Sequence, residues 1–288
     1  MQDIRDTYFA IREQLVKEPD KIIAIEEHYT EILLKQVLLP IAEDTRKDFS
    51  EHPLELLPFW KNYPPEQRGR MPTGHSIPWL ELGEKTISSN LIKKLSEIFP
   101  DIIFPGLPTG GDIRFATKDV YVHLDIKLTG PNDNPDEVVV PPNQVSGDGK
   151  IWNDGIENSK FPILYLTGPQ KNTLNYHFQP KLPPFYLLKG KPLLCLTFFL
   201  EGIYGVNGFG NHPLEHLELS CVPNGLIMFD GPYFANTKGL FIAGKDDNTK
   251  GEDTKRVRVR LSPLVKINPW RSTKVYKAGN DWSFKRRQ

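Results

Sequence analysis

An α+β fold, with helices gathered in residues 1–100 and a mixed or antiparallel sheet in residues 101–288, is what this 288-residue sequence predicts. Three observations predict it. Apolar residues recur every three or four positions in the first hundred residues, they alternate every second position in several later runs, and Gly, Pro, Asn and Asp separate those runs. Helices segregated along the chain from a sheet pack on it to share one core, so a single domain over 1–288 is expected.

The elements follow in order. Ile4, Tyr8, Ile11 and Leu15 suit one face of a first helix, and Ile32, Leu33, Val37 and Leu38 one face of another, with Pro19 and Pro40 marking ends or kinks. The stretch HPLELLPFWKNYPPEQRGRMPTGHSIP carries six prolines, which exclude a long helix and predict an ordered loop or linker. From Trp79 the helical period returns with Ile87, Leu91, Leu95 and Ile98 as its buried stripe, and Pro100 closes that helix. The runs DVYVHLDIKLT, PLLCLTFFLEGIYG, LEHLELSCV, GLFIAGK and RVRVRL then predict strands. Residues 130–160 hold too many Gly, Pro, Asn and Asp for regular structure, and an irregular loop of that length is often functional.

Composition narrows the class of function. Hydrophobic residues at 39% and charged residues at 25% match a globular protein, so disorder is excluded as the main state. No apolar stretch is long enough to span a membrane, and the charged start MQDIRDTYFAIREQL is unlike a secretory signal, so a cytoplasmic protein with no membrane partner is expected. Cys195 and Cys221 sit inside apolar runs and read as buried free thiols. The net charge is zero, yet residues 255–288 carry eleven Lys or Arg against one acid, and residues 1–60 carry thirteen acids against seven basic residues. Screening limits each field to about 8 Å, so a basic segment can meet phosphates while an acidic face stays in water. A solvated basic tail is the plain alternative.

Residues 119–129 carry the chemistry. Val120, Val122, Leu124, Ile126 and Leu128 fall on one parity, and Asp119, Tyr121, His123, Asp125, Lys127 and Thr129 on the other, which predicts a half-buried strand. Asp125 and Lys127 then project from one face, about 7 Å apart along the chain. Upstream, the glycine-rich GLPTGGDIRF delivers Asp112 into a neighbouring strand, where two carboxylates can converge. Phosphodiester hydrolysis needs a deprotonated water, a neutralised phosphate and a stabilised leaving oxygen, and Mg2+ on one or two carboxylates supplies much of this. Lys127 would orient the water and offset charge developing on the phosphate, and Glu84 would bind the ion or its water from the preceding helix. An Asp and a Lys two apart on a strand are also an ordinary surface ion pair, and spacing alone does not separate the two readings.

The segments PFWKNYPPEQRGRMPTGHSIPWLELGEK, GLPTGGDIRF, LDIKLTGP, PPNQVSG, VPNGL and GKDDNTK with KRVRV resemble the BglI-like family of type II restriction endonucleases, over a span from about Pro58 to Leu261. The resemblance implies a PD-(D/E)xK nuclease fold, a mixed sheet flanked by helices of the EcoRV-like branch. It also implies a homodimer that cuts double-stranded DNA at an interrupted palindrome with Mg2+, in a prokaryotic cytoplasm beside a cognate DNA methyltransferase. By match to the family motif, Asp112 is the first acidic residue, Asp125 and Lys127 the D-x-K pair, and Glu84 the acid of the preceding helix. Gly111 stands where the family signature has proline, so a looser turn with the ligand retained is expected. Lys245, Asp247, Arg256 and Arg258, with Asp133 in GPND, match positions that contact base edges. Lys or Arg reads guanine and Asp reads cytosine, so a G·C-rich site is implied. Asn143, Gln144 and Ser146 match a segment that contacts phosphates or the minor groove.

Two rival readings stay open at this point: a repair or recombination nuclease of the same superfamily that reads DNA shape, and a non-catalytic DNA-binding regulator. Other signals are discounted. His212 and His216 in HPLEH flank Pro213, which favours a turn over a zinc-binding helix, NGFGN reads as a hairpin turn, and His123 as a supporting or surface histidine.

Overall fold

The structure, a computed structural model, describes residues 2–60, 77–106, 110–163, 176–208, 211–229, 239–243 and 256–288. Its helices are α1 (Gln2–Val16), α2 (Pro19–Ile32), α3 (Leu39–Ser50), α4 (His52–Trp60), α5 (Ile77–Ile98), α6 (Gly225–Met228) and α7 (Leu261–Ile267). The strands are β1 (Ile113–Ala116), β2 (Val120–Thr129), β3 (Glu137–Val140), β4 (Ile151–Trp152), β5 (Ile156–Glu157), β6 (Phe161–Ile163) and β7 (Tyr176–Phe178). They continue with β8 (Phe185–Leu188), β9 (Lys191–Tyr204), β10 (Leu214–Val222), β11 (Phe241–Ala243), β12 (Val257–Arg260), β13 (Ser272–Ala278) and β14 (Asp281–Arg286).

The expected α+β order holds, with a central mixed sheet flanked by helices. The sheet runs β1-β2-β9-β10-β13-β14, with β8 also alongside β9. Only the β2–β9 pair is parallel; the other pairs in this sheet are antiparallel. One face of the sheet, formed by Val120, Val122, Leu124 and Ile126 of β2 with Leu196, Phe198 and Leu200 of β9, belongs to the same apolar cluster as Ile87, Leu91 and Leu95 of α5. Burying side chains of this size stabilises the fold by roughly 1.5–3 kcal/mol each. Gly83 lets α5 close on the sheet, because a Cβ there would lie 2.3 Å from Phe49 of α3 and 2.8 Å from Leu128 of β2. On the opposite face a smaller sheet, β11-β12-β3, packs through Val138, Val140, Val257 and Val259 against Phe199 and Val222.

Several expectations change. Pro19 opens α2 as predicted, but Pro40 neither ends nor breaks the helical run: a π-helical turn, Leu33–Leu38, precedes it, and Leu39 donates to the Leu34 carbonyl, a five-residue step. Such a turn accommodates the donor that proline lacks. The proline-rich stretch contains α4, a nine-residue helix with Pro58 inside it. Strand β2 is buried on both faces rather than one, because it is an interior strand and Tyr186 of β8 lies over Tyr121 and His123. The region 130–160 holds β3, a 3-10 turn and a small β4–β5 hairpin, and the basic tail forms β13 and β14. Both cysteines are buried and free. Among the described residues no helix is long and apolar enough to cross a membrane.

Candidate active site

The β1–β2 hairpin builds the site. Ile113 pairs with Leu124, so continuing the antiparallel register by one residue sets Asp112 opposite Asp125. The Asp112 side chain extends the ladder itself, its Oδ2 accepting the backbone N–H of Ile126 at 2.7 Å. Two glycines make the approach possible. Gly110 has φ +115°, a conformation that side chains disfavour, and a Cβ there would strike His123. At Gly111 a Cβ would lie 2.5 Å from the carbonyl oxygen of Leu124. The turn is therefore tighter than expected: the proline of the family signature carries a Cβ that this close backbone contact does not admit.

Asp125 is 3% exposed, while Asp112 is exposed and Lys127 half-buried. One Asp125 oxygen pairs with the Lys127 ammonium, and the other accepts the amide N–H of Gln144. Gln144 closes the ring, its Oε1 accepting from Lys127 Nζ at 3.3 Å. Burial pushes the Asp125 carboxyl up to about 6; Lys127 pulls it down and the Asp112 carboxylate pushes it up. A carboxylate set beside a buried one whose ionisation it opposes suits a divalent cation, and the hard oxygens of the two match Mg2+. Among the described residues no group of three or more His, Cys, Asp or Glu side chains converges. Asp112 and Asp125 are thus brought together, and Glu84, half-buried on α5 beside Gly83, is not gathered with them.

The expected DNA contacts divide. Val257, Val259 and Leu261 are fully buried while Arg256, Arg258 and Arg260 lie on the other parity of the strand, which is the alternation the sequence predicts. Arg258 lies 3.4 Å from Glu137 on the neighbouring β3, and Arg256 is exposed. Asp133 is exposed and caps its own turn, accepting the Gly130 N–H at 2.9 Å. Asn143 is half-buried. Ser146 corrects the expectation: it is buried, and its hydroxyl accepts the Gly225 N–H at 3.0 Å, so it faces α6 and not a ligand. Gln144 lies on the Asp125–Lys127 pair. Lys245 and Asp247 lie outside the described residues.

A second acidic group escaped the sequence reading. Glu201 on β9 is the register partner of Lys127, and Glu218 on β10 is the register partner of Glu201. Both are buried. Burial, reinforced by Glu218, pushes Glu201 up to about 8, so it holds a proton at neutral pH, while Thr129 donates to it at 2.9 Å. Glu218 accepts two bonds from Arg287 at 2.8 Å. The signal was a lone Glu inside the apolar run LTFFLEGIY. Much of the basic tail is likewise structural, since Arg287 serves Glu218 and Lys277 serves Glu43. His123 is buried, with Nε2 on the Tyr186 hydroxyl, and burial pushes it down to about 3.

This hairpin with a D-x-K pair can be compared with known proteins. The profile of the family "Restriction endonuclease BglI" matches residues 3–275. The chain belongs to that family. It is 38% identical over 263 residues to the type II restriction enzyme BglI of Bacillus subtilis, covering 82% of this chain and 85% of that protein. The crystal structure of BglI bound to its DNA recognition sequence superposes with a TM-score of 0.82 at 35% identity, over 96% of this chain and 97% of that one. Tetrameric SfiI bound to cognate DNA gives a TM-score of 0.61 at 12% identity, over 94% of this chain and 96% of that one, which shows a shared fold. The chain is accordingly a type II restriction endonuclease, a hydrolase that cleaves DNA.

Proposed function

We propose that the chain cleaves both strands of double-stranded DNA at an interrupted, G·C-rich palindrome, as a homodimer with one site per subunit and with Mg2+ held by Asp112 and Asp125. The observation that carries this reading is the meeting of Asp112 with the Asp125–Lys127 pair on one hairpin. When bound, the ion would lower the pKa of a water and neutralise phosphate charge. Asp125 would bind as a carboxylate, the form in which Lys127 and Gln144 hold it. Lys127, fixed by that carboxylate and by Gln144, turns its one remaining N–H to the attacking water, and its charge offsets the charge developing on the phosphate. Glu84 would hold a water of the ion from α5.

Sequence reading falls to Lys245, Asp247, Arg256, Arg258 and Asp133, and phosphate contact to Asn143. Arg258 projects from β12 and Arg256 immediately precedes it; the buried Val257 and Val259 hold this backbone to the core, from which the two guanidiniums can reach guanine in bidentate fashion. A palindrome matched by two copies of one protein requires a two-fold dimer. A cognate DNA methyltransferase protects the host genome in the prokaryotic cytoplasm.

The test is digestion of a genome of known sequence with Mg2+, followed by sequencing of the ends. Discrete ends at one motif support the reading. A smear or cleavage at junctions points to a repair or recombination nuclease, and tight binding with no cleavage to a regulator. Replacing Arg256 by Ala is expected to reduce base discrimination by about 1–3 kcal/mol at one position of the motif; equal losses on every sequence make it a phosphate contact.

A further inference from the structure

Gln144 has two attachments that no contact to DNA explains. Its amide donates to Asp125 and accepts from Lys127. A side-chain amide has one donor end and one acceptor end, so it satisfies a carboxylate and an ammonium at once. Lys127 is thereby aimed by two acceptors instead of one.

The backbone beneath Gln144 is stiff. It closes the 3-10 turn Pro142–Gln144, entered through Pro141 and Pro142, whose rings fix φ. The Gln144 N–H donates to the Pro141 carbonyl at 3.1 Å, and the Pro142 carbonyl accepts from Lys181 N–H at 2.8 Å. Beyond the turn, Ser146 is held by Gly225 and by a parallel bridge to Leu182. Before the turn lies β3, which pairs along its whole length with β12: Val140 with Val257, Val139 with Arg258, Val138 with Val259 and Glu137 with Arg260. Three residues separate Val140, at the end of that ladder, from Gln144. A shift of β12 therefore reaches Gln144 through one short, hydrogen-bonded segment.

We propose that Gln144 is a positioning residue for strand cleavage, through which β12, which carries Arg258 and follows Arg256, sets the alignment of Asp125 and Lys127. The inference rests on the nuclease site described above. Base contacts that settle β12 settle β3 and its turn, and Gln144 then holds the pair in register with the scissile phosphate. At a site with one altered base the turn is not drawn into place, and the pair is misaligned. Misplacement of a catalytic group by about 1 Å is enough to lower a rate on the order of a hundredfold.

The test uses Gln144→Met, which keeps length and removes both bonds, on duplexes carrying the motif found by the genome digest and its one-base variants. Binding is measured with Ca2+, and cleavage with Mg2+ in single turnover at saturating enzyme. The expected result is a cleavage rate about 10- to 100-fold lower at the cognate site, little change at altered sites and a Kd within about twofold of the parent. Gln144→Glu, which sets a carboxylate against Asp125, is expected to fall at least as far. An unchanged saturating rate, an equal fall at all sites or a weaker Kd that accounts for the loss overturns the proposal. Asp125→Asn separates the two ideas: if it still cleaves, the site reading fails, and if it is inactive while Gln144→Met is normal, only the role of Gln144 fails.

Discussion

Two ion pairs with buried carboxylates, one joining Glu26 to Arg271 and one joining Asp125 to Lys127, are built on opposite plans. Glu26 on α2 accepts from Arg271 at 2.6 Å and from the Asn224 N–H at 2.6 Å, and Arg271 also donates to Asn268 and lies over the Trp270 ring. Both members are wholly buried, and their bonds lead only to other parts of the fold. Asp125 is nearly as deep, but its cation is half-exposed, its nearest carboxylate neighbour is exposed, and the group linking the two is a flexible amide. A pair satisfied from every side fixes helices to strands. A pair with one open side can exchange partners for an ion and a phosphate, which is what a reactive site requires.

Breaking each pair should separate chemistry from stability. Asp125→Ala is expected to lower Mg2+-dependent cleavage by about a thousandfold with the thermal midpoint no lower than the parent, since it removes a carboxylate that burial disfavours. A plasmid assay and a melting curve on one preparation decide this, and retained cleavage refutes the site. Glu26→Ala is expected to do the reverse: it leaves the Arg271 charge buried and costs about 3–5 kcal/mol in denaturant unfolding, with near-normal cleavage while folded.

Smaller changes sharpen the contrast. Gly111→Ala forces a Cβ against the Leu124 carbonyl, and because that neighbour is backbone it should move Asp112. The expected loss is about 1–3 kcal/mol of stability and a clear fall in single-turnover rate; a fully active Gly111→Ala enzyme contradicts the tight turn. The Glu201 carboxyl, at about 8, lies above its ordinary 4.5, so its proton favours the native state fully below 4.5, and that contribution is lost as pH rises through 8. Glu201→Gln should therefore melt higher than the parent at pH 9, by roughly 2–4 °C per kcal/mol recovered, and converge with it at pH 5. Parallel melting curves across that range would count against a protonated Glu201.

How much of this was legible in the sequence depended on how local the cause is. The α5 stripe of Ile87, Leu91 and Leu95, the long strands β2, β9 and β10, and the alternation in VRVR are set by periodicity within a few residues, and they were read correctly. The D-x-K spacing likewise places Asp125 and Lys127 on one face by strand geometry alone. By contrast, β3 is a four-residue EVVV among turn residues and is a strand only because β12, more than a hundred residues later, pairs with it.

What the sequence by itself determined is thus the order of helix and strand, the placement of Asp125 and Lys127 on one strand face and, through long collinear motifs, the family. The tertiary structure decided which polar residues serve which purpose. Gln144 and Ser146 are two apart in the sequence, yet Ser146 is buried against Gly225 while Gln144 bridges Asp125 and Lys127. Arg271 and Arg287 belong to the same basic tail that looked free for phosphates, yet each is bound to a carboxylate from a distant segment. The physical reason is that a side chain's direction follows from its own strand or turn, whereas its partner and its burial follow from segments that meet it only after folding.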